Sequence, residues 1–153
     1  MPIGTQDVGG YVPAIKQFGP TFKDGSGNVV LTPLYETEQS FSLGASSTSF
    51  TMFVNDKLSG TYKIAAVSVV FGTASSSGTL QVEVATGTTA VGSGTNQLTG
   101  TLSLSGTTNT VVNGTVIASP TTIVAGARVN IILAGTMTSL ANCCVNVVLQ
   151  RLS

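Results

Sequence analysis

From residue 39 onward, apolar residues recur at every second position in short runs, and clusters of Gly, Ser, Thr and Asn separate the runs. A period of two is the spacing of a half-buried strand, because successive side chains leave a strand on opposite faces. Leu80, Val82 and Val84 alternate with Gln81 and Glu83. Val129, Ile131 and Leu133 alternate with Arg128, Asn130 and Ile132, and Val145, Val147 and Leu149 with Asn146, Val148 and Gln150. Phe50, Met52 and Val54 alternate with Thr51 and Phe53; Leu98, Leu102 and Leu104 alternate with Thr99, Thr101 and Ser103; Val111–Ile117 is another extended stretch. In Tyr62–Phe71 the phase changes: Tyr62 and Ile64 share one face, Val67, Val69 and Phe71 the other. The shift at Ala65-Ala66 predicts a β-bulge. About eight strands at this spacing, with turn-rich separators, predict an all-β fold: an antiparallel β-sandwich or jelly roll. No segment carries a helical period, beyond room for one helical turn near Thr107–Val111.

Residues 1–38 read differently. They hold Pro2, Pro13, Pro20 and Pro33, four of the five prolines, and their apolar residues follow no sustained period. Proline interrupts ladders and favours extended chain. Asp24–Asn28 is a turn signal between Phe22-Lys23 and Val29–Leu31, which predicts a small hairpin. The expected organisation is therefore an extended N-terminal arm, residues 1–38, followed by a sandwich domain, residues 39–153. The arm's apolar residues either fold back on the domain or dock on a neighbour; in the second case Tyr11, Val12, Ile15, Phe18 and Phe22 are the candidate buried anchors.

Charge is scarce. Asp, Glu, Lys and Arg make up 8% of the chain and cancel to a net charge of zero, against about 25% charged residues in an ordinary soluble domain. A neutral chain lacks the basic footprint that nucleic acid requires, and it lacks a polybasic membrane patch. No apolar run approaches the ~20 residues that span a bilayer, and Met1-Pro2-Ile3-Gly4 does not begin like a signal peptide. Nine of the twelve charges fall in residues 1–63; only Glu83, Arg128 and Arg151 follow. Two readings follow: a Thr-coated β-domain that stays soluble with few charges, or, since interface cores are depleted in charge, a sandwich whose surface is largely covered by partner subunits. Arg128, Arg151 and Glu83 are the candidate subunit-interface residues, with each arginine pairing with Glu83 or a symmetry mate, or lying along a strand edge.

Catalytic chemistry finds little to use. The chain has no histidine, which removes the usual general base and the commonest metal ligand. Cys143 and Cys144 are adjacent, a spacing that suits neither a zinc site nor a structural disulfide; they read as small buried apolar residues. Gly92-Ser93-Gly94 lacks the third glycine of a dinucleotide fingerprint, because Gln97 stands in its place. Glu36 and Glu38 are the one close carboxylate pair, too few oxygens for calcium. Asn113-Gly114-Thr115 matches a glycosylation sequon by chance. No enzyme activity, metal or cofactor is expected.

The run Leu102–Thr115, the run Ile123–Leu140 with its Gly126-Ala127-Arg128, and the closing Val147-Val148-Leu149-Gln150-Arg151 resemble the jelly-roll proteins of tailed-phage virions, above all capsid decoration (cement) proteins and related head- or tail-fibre domains. The resemblance covers roughly residues 60–152, as expected of one sandwich domain. The family often has Gly-Asp-Arg where this chain has Gly126-Ala127-Arg128. What the resemblance implies is a homotrimer on the capsid exterior, made in the host cytoplasm, with the major capsid protein as partner and an N-terminal segment as anchor. The alternative is a receptor- or glycan-binding head of a fibre, with a pocket in Thr86–Thr95; the absence of Trp counts against it.

Overall fold

The computed structural model describes residues 22–23, 29–30, 36–55 and 60–152. The chain divides into two units, Met1–Tyr35 and Glu36–Ser153. In the first, β1 (Phe22–Lys23) pairs antiparallel with β2 (Val29–Val30), Phe22 opposite Val30. This is the hairpin that the Asp24–Asn28 turn signal predicts. The remaining arm positions, Tyr11, Val12, Ile15 and Phe18 among them, lie outside the described residues.

The second unit contains nine strands: β3 (Glu36–Leu43), β4 (Phe50–Val54), β5 (Tyr62–Thr73), β6 (Thr79–Ala85), β7 (Thr95–Asn96), β8 (Leu102–Ser103), β9 (Val112–Gly114), β10 (Arg128–Ala134) and β11 (Ala141–Arg151). β3 starts at Glu36, so Glu36, Thr37 and Glu38 are sandwich residues. Two antiparallel sheets form, β3-β11-β5-β9 and β4-β10-β6-β7, with β8 also against β6. The pairs β3–β11, β4–β10, β5–β9 and β6–β7 are those of one long hairpin, with β6–β7 at its tip. Rolling that hairpin up adds β11–β5 and β10–β6 and sends most connections from one sheet to the other. That is the wiring of a jelly roll, as expected.

Alternating residues from both sheets meet between them. Ile64, Val67, Val69 and Phe71 of β5 and Val145, Val147 and Leu149 of β11 face Leu80, Val82 and Val84 of β6 and Val129 and Ile131 of β10, all buried. The bulge expected at Ala65-Ala66 is present. Leu149 lies opposite Ile64 and Val148 opposite Ala66, which leaves Ala65 as the extra residue. That insertion lets Ile64 and Val67, three apart, both face the core. A second bulge corrects the reading of β4. Phe53 lies opposite Val129 and Thr51 opposite Asn130, so Met52 is the inserted residue. Phe50 and Phe53 therefore share a side, while Val54 is 45% exposed. Their rings confirm it: Phe50 meets Phe41 and Phe53 meets Tyr62, each edge to face.

Leu98, Leu102 and Leu104 are buried but do not form one strand; only Leu102–Ser103 is extended in a ladder, and Leu98 bridges to Val116. The stretch near Thr107–Val111 is a turn with Asn109 at positive φ, not a helical turn. The turn glycine of Gly126-Ala127-Arg128 has φ +83°. Ala127 is fully buried behind it.

Candidate functional site

The outward sides of the two sheets are the candidate surfaces. On the β4-β10-β6-β7 sheet, Arg128 and Asn130 of β10 share a face with Glu83 and Ala85 of β6, since Val129, Val82 and Val84 fill the other. Such outward positions normally meet water, yet Glu83, Ala85 and Asn130 are buried. The connection 86–94 covers them. It makes two turns, Thr89 N–H to Thr86 C=O and Ser93 N–H to Ala90 C=O, and lies back across the sheet.

Polar groups hold it there. Glu83 Oε1 accepts from Gly92 N–H at 2.8 Å and Oε2 from Gly94 N–H at 2.9 Å. Asn130 Nδ2 donates to Glu83 Oε1 at 2.8 Å, and Thr51 Oγ1 donates to Asn130 Oδ1 at 2.7 Å. Arg128 Nη2 donates to the Thr89 carbonyl oxygen. A buried carboxylate survives desolvation only with several good donors, and Glu83 has three. Gly94 is required for the approach: a Cβ there would sit 2.7 Å from the Val84 carbonyl oxygen and 3.1 Å from Ala85 Cβ. The sequence brings Glu83 and Arg128 to attention as partners of each other or of a symmetry mate. The structure brings them to one face, where both bind the loop. Asn130, Thr51 and the amides of Gly92 and Gly94 escape a reading based on charge; the signal for Asn130 is its place two residues after Arg128, on the same side of β10.

The β3-β11-β5-β9 sheet carries no such cover from the described residues. Its outward rungs are Ser42–Cys144–Val70, Ser40–Asn146–Ser68–Asn113, Glu38–Val148–Ala66 and Glu36–Gln150–Lys63. Away from the end that holds Glu36, Glu38, Lys63 and Gln150, these residues are short and uncharged. Asn146 bridges two strands, donating to Glu38 Oε1 and accepting from Ser40 Oγ. Asn113 of the sequon is exposed on β9. Arg151 is half-buried on this sheet, opposite Tyr62, away from Glu83. Cys143 is buried in the core and Cys144 exposed on this face, both as free thiols. Only Cys143 therefore fits the expectation of two buried cysteines, because neighbours on a strand point to opposite faces. Burial, then the neighbouring Cys144, pushes the Cys143 thiol up to about 11.

A shallow groove of about 280 Å³ opens at the edge of β5, between Lys63, Ala65, Val116, Pro120 and Gln150. It brings together no group of acids and bases. Among the described residues, no cluster of three or more His, Cys, Asp or Glu side chains is placed to hold a metal, and no helix is long and apolar enough to cross a membrane. Compared with known proteins, the chain matches no protein-family model, no curated protein and no solved structure.

Proposed function

We propose that the chain is a virion structural protein, a capsid decoration protein that seats on the outside of the major capsid lattice and stabilises it. The observation that carries this reading is the outward side of the β3-β11-β5-β9 sheet, uncovered among the described residues, with its rungs of Ser, Ala, Val, Asn and Cys. Short neutral side chains cost little rotamer entropy to immobilise and little desolvation to cover. Charged side chains would resist both.

Size decides whether this face suffices. At strand spacings of about 4.8 Å and about 3.4 Å per residue, about eight residues on each of three strands and three on β9 make a face on the order of 450 Å². A standard interface uses about 800 Å² per partner. The arm supplies the remainder in this proposal, with Tyr11, Val12, Ile15, Phe18 and Phe22 as anchors. The function is mechanical: added contact area ties lattice subunits together against the outward pressure of packaged DNA, with no bond made or broken.

The test is co-sedimentation with empty capsids of the parent phage. The intact chain pellets with capsids; deletion of residues 1–22 and Val148→Lys each weaken its binding. Equal binding by all three would defeat the proposal.

A further inference from the structure

The edges of the sandwich are not built alike. β4 carries the inserted Met52, and a bulge bends an edge strand away from a would-be neighbour. β7 and β8 have two residues each and β9 has three, too short to template another chain. β3 has none of these protections. Its eight residues pair with β11 from Glu36–Gln150 to Leu43–Cys143 without a register shift. Among the described residues nothing pairs with its other edge. It contains neither Pro nor Lys, and from Gln39 to Asn55 the chain carries no charge. At this side of the sandwich Phe41 and Phe50 stack edge to face at 5.2 Å and are only half-buried.

We infer that this edge pairs with a second copy of the chain, β3 antiparallel to β3 about a twofold axis, so that β9-β5-β11-β3 continues as one sheet through two molecules. Free backbone N–H and C=O groups along an edge are satisfied by another extended strand. The charges permit self-pairing in particular registers. An axis at Phe41 sets Ser40 opposite the second copy's Ser42 and Glu38 opposite its Gly44. An axis at Ser40 sets Glu38 opposite the second copy's Ser42. A register centred on Thr37 would set Glu36 against Glu38, and like charges directly opposite destabilise a ladder. Pairing near Phe41 also brings the two half-buried Phe41 rings toward one another, out of water. The contact is closed, because each copy offers one such edge and a twofold uses both. It gives an even-numbered assembly where the resemblance implies three copies, and it stands apart from the capsid reading because no capsid takes part.

The test is sedimentation equilibrium of the full chain without capsids, over a wide concentration range. The expected mass is twice the 15.4 kDa of the chain. Ser42 is exposed, so Ser42→Lys adds a gatekeeper charge without entering the core and weakens the dimer at least tenfold, while Ser42→Thr leaves it intact. Hydrogen exchange distinguishes edge opening from unfolding: in Ser42→Lys, β3 amides lose protection and those of β5 do not. A monomer at every concentration overturns the inference, as does a trimer indifferent to Ser42→Lys. So does β3 protection that is unchanged by dilution, since the chain itself would then cover the edge.

Discussion

Both sheets bury one face through the same alternation, but their outward sides are finished in opposite ways. The β4-β10-β6-β7 sheet keeps Glu83 and Arg128 outward and then folds its own 86–94 connection over them, answering the carboxylate with two amides and Asn130. The β3-β11-β5-β9 sheet drops charge from most of its outward side and, among the described residues, has nothing folded over it. The difference is one of solvation. A charge is tolerable under cover where the same chain can place donors around it, at fixed geometry and without the entropy of association. Where the described chain supplies no such donors, neutral short side chains avoid that requirement.

The sharpest way to break the contrast is to remove Glu83. Glu83→Ala takes the acceptor from the buried Asn130 amide group, at about 1–3 kcal/mol, and releases the Gly92 and Gly94 amides of the loop, of which Gly92 is exposed to water. A loss of about 2–4 kcal/mol is expected from the lost charged hydrogen bonds, read as a shift in the denaturant midpoint with unchanged m. Gly94→Ala comes next. Its Cβ meets backbone and Ala85, so the loop must lift, at about 1–3 kcal/mol. Gly100, whose added Cβ meets nothing within 4 Å, is the control, with a change within about 0.5 kcal/mol. On the open sheet Val148→Lys is likewise expected to stay within about 0.5 kcal/mol, although it introduces a charge. If Val148→Lys costs as much as Glu83→Ala, the two outward sides are not different in kind. The smallest effect concerns the thiols. At pH 8 a thiol reagent modifies one cysteine per native chain, Cys144, and both after unfolding, because Cys143 is buried and its thiolate is scarce until the pH nears 11.

The sandwich was legible because most of its strands alternate cleanly, and even the Ala65 bulge announced itself as a phase shift. β3 was hidden. Its Glu-Thr-Glu-Gln-Ser-Phe-Ser-Leu run offers only Phe41 and Leu43 as an apolar pair, and its pairing with β11 bridges residues at least 100 positions apart. Met52 was misread for the opposite reason: every neighbour but Thr51 is apolar, so alternation could not report which residue the ladder skips. Glu83 and Arg128 drew attention by their isolation in an uncharged region. Their partner did not, because a backbone amide carries no signature in a sequence. In the sequence Gly92-Ser93-Gly94 reads only as an incomplete dinucleotide fingerprint.

The most direct measurement is the reactivity of Cys144, which stands between Ser42 and Val70 on the open sheet. The native chain is labelled with a thiol reagent at pH 8, alone and in the presence of excess empty capsids. The expected result is ready labelling of the free protein and at least a tenfold slower reaction on capsids, with Cys143 silent in both. Equal rates on and off the capsid, in samples where co-sedimentation shows the protein bound, would mean that the open sheet is not the surface that meets the lattice.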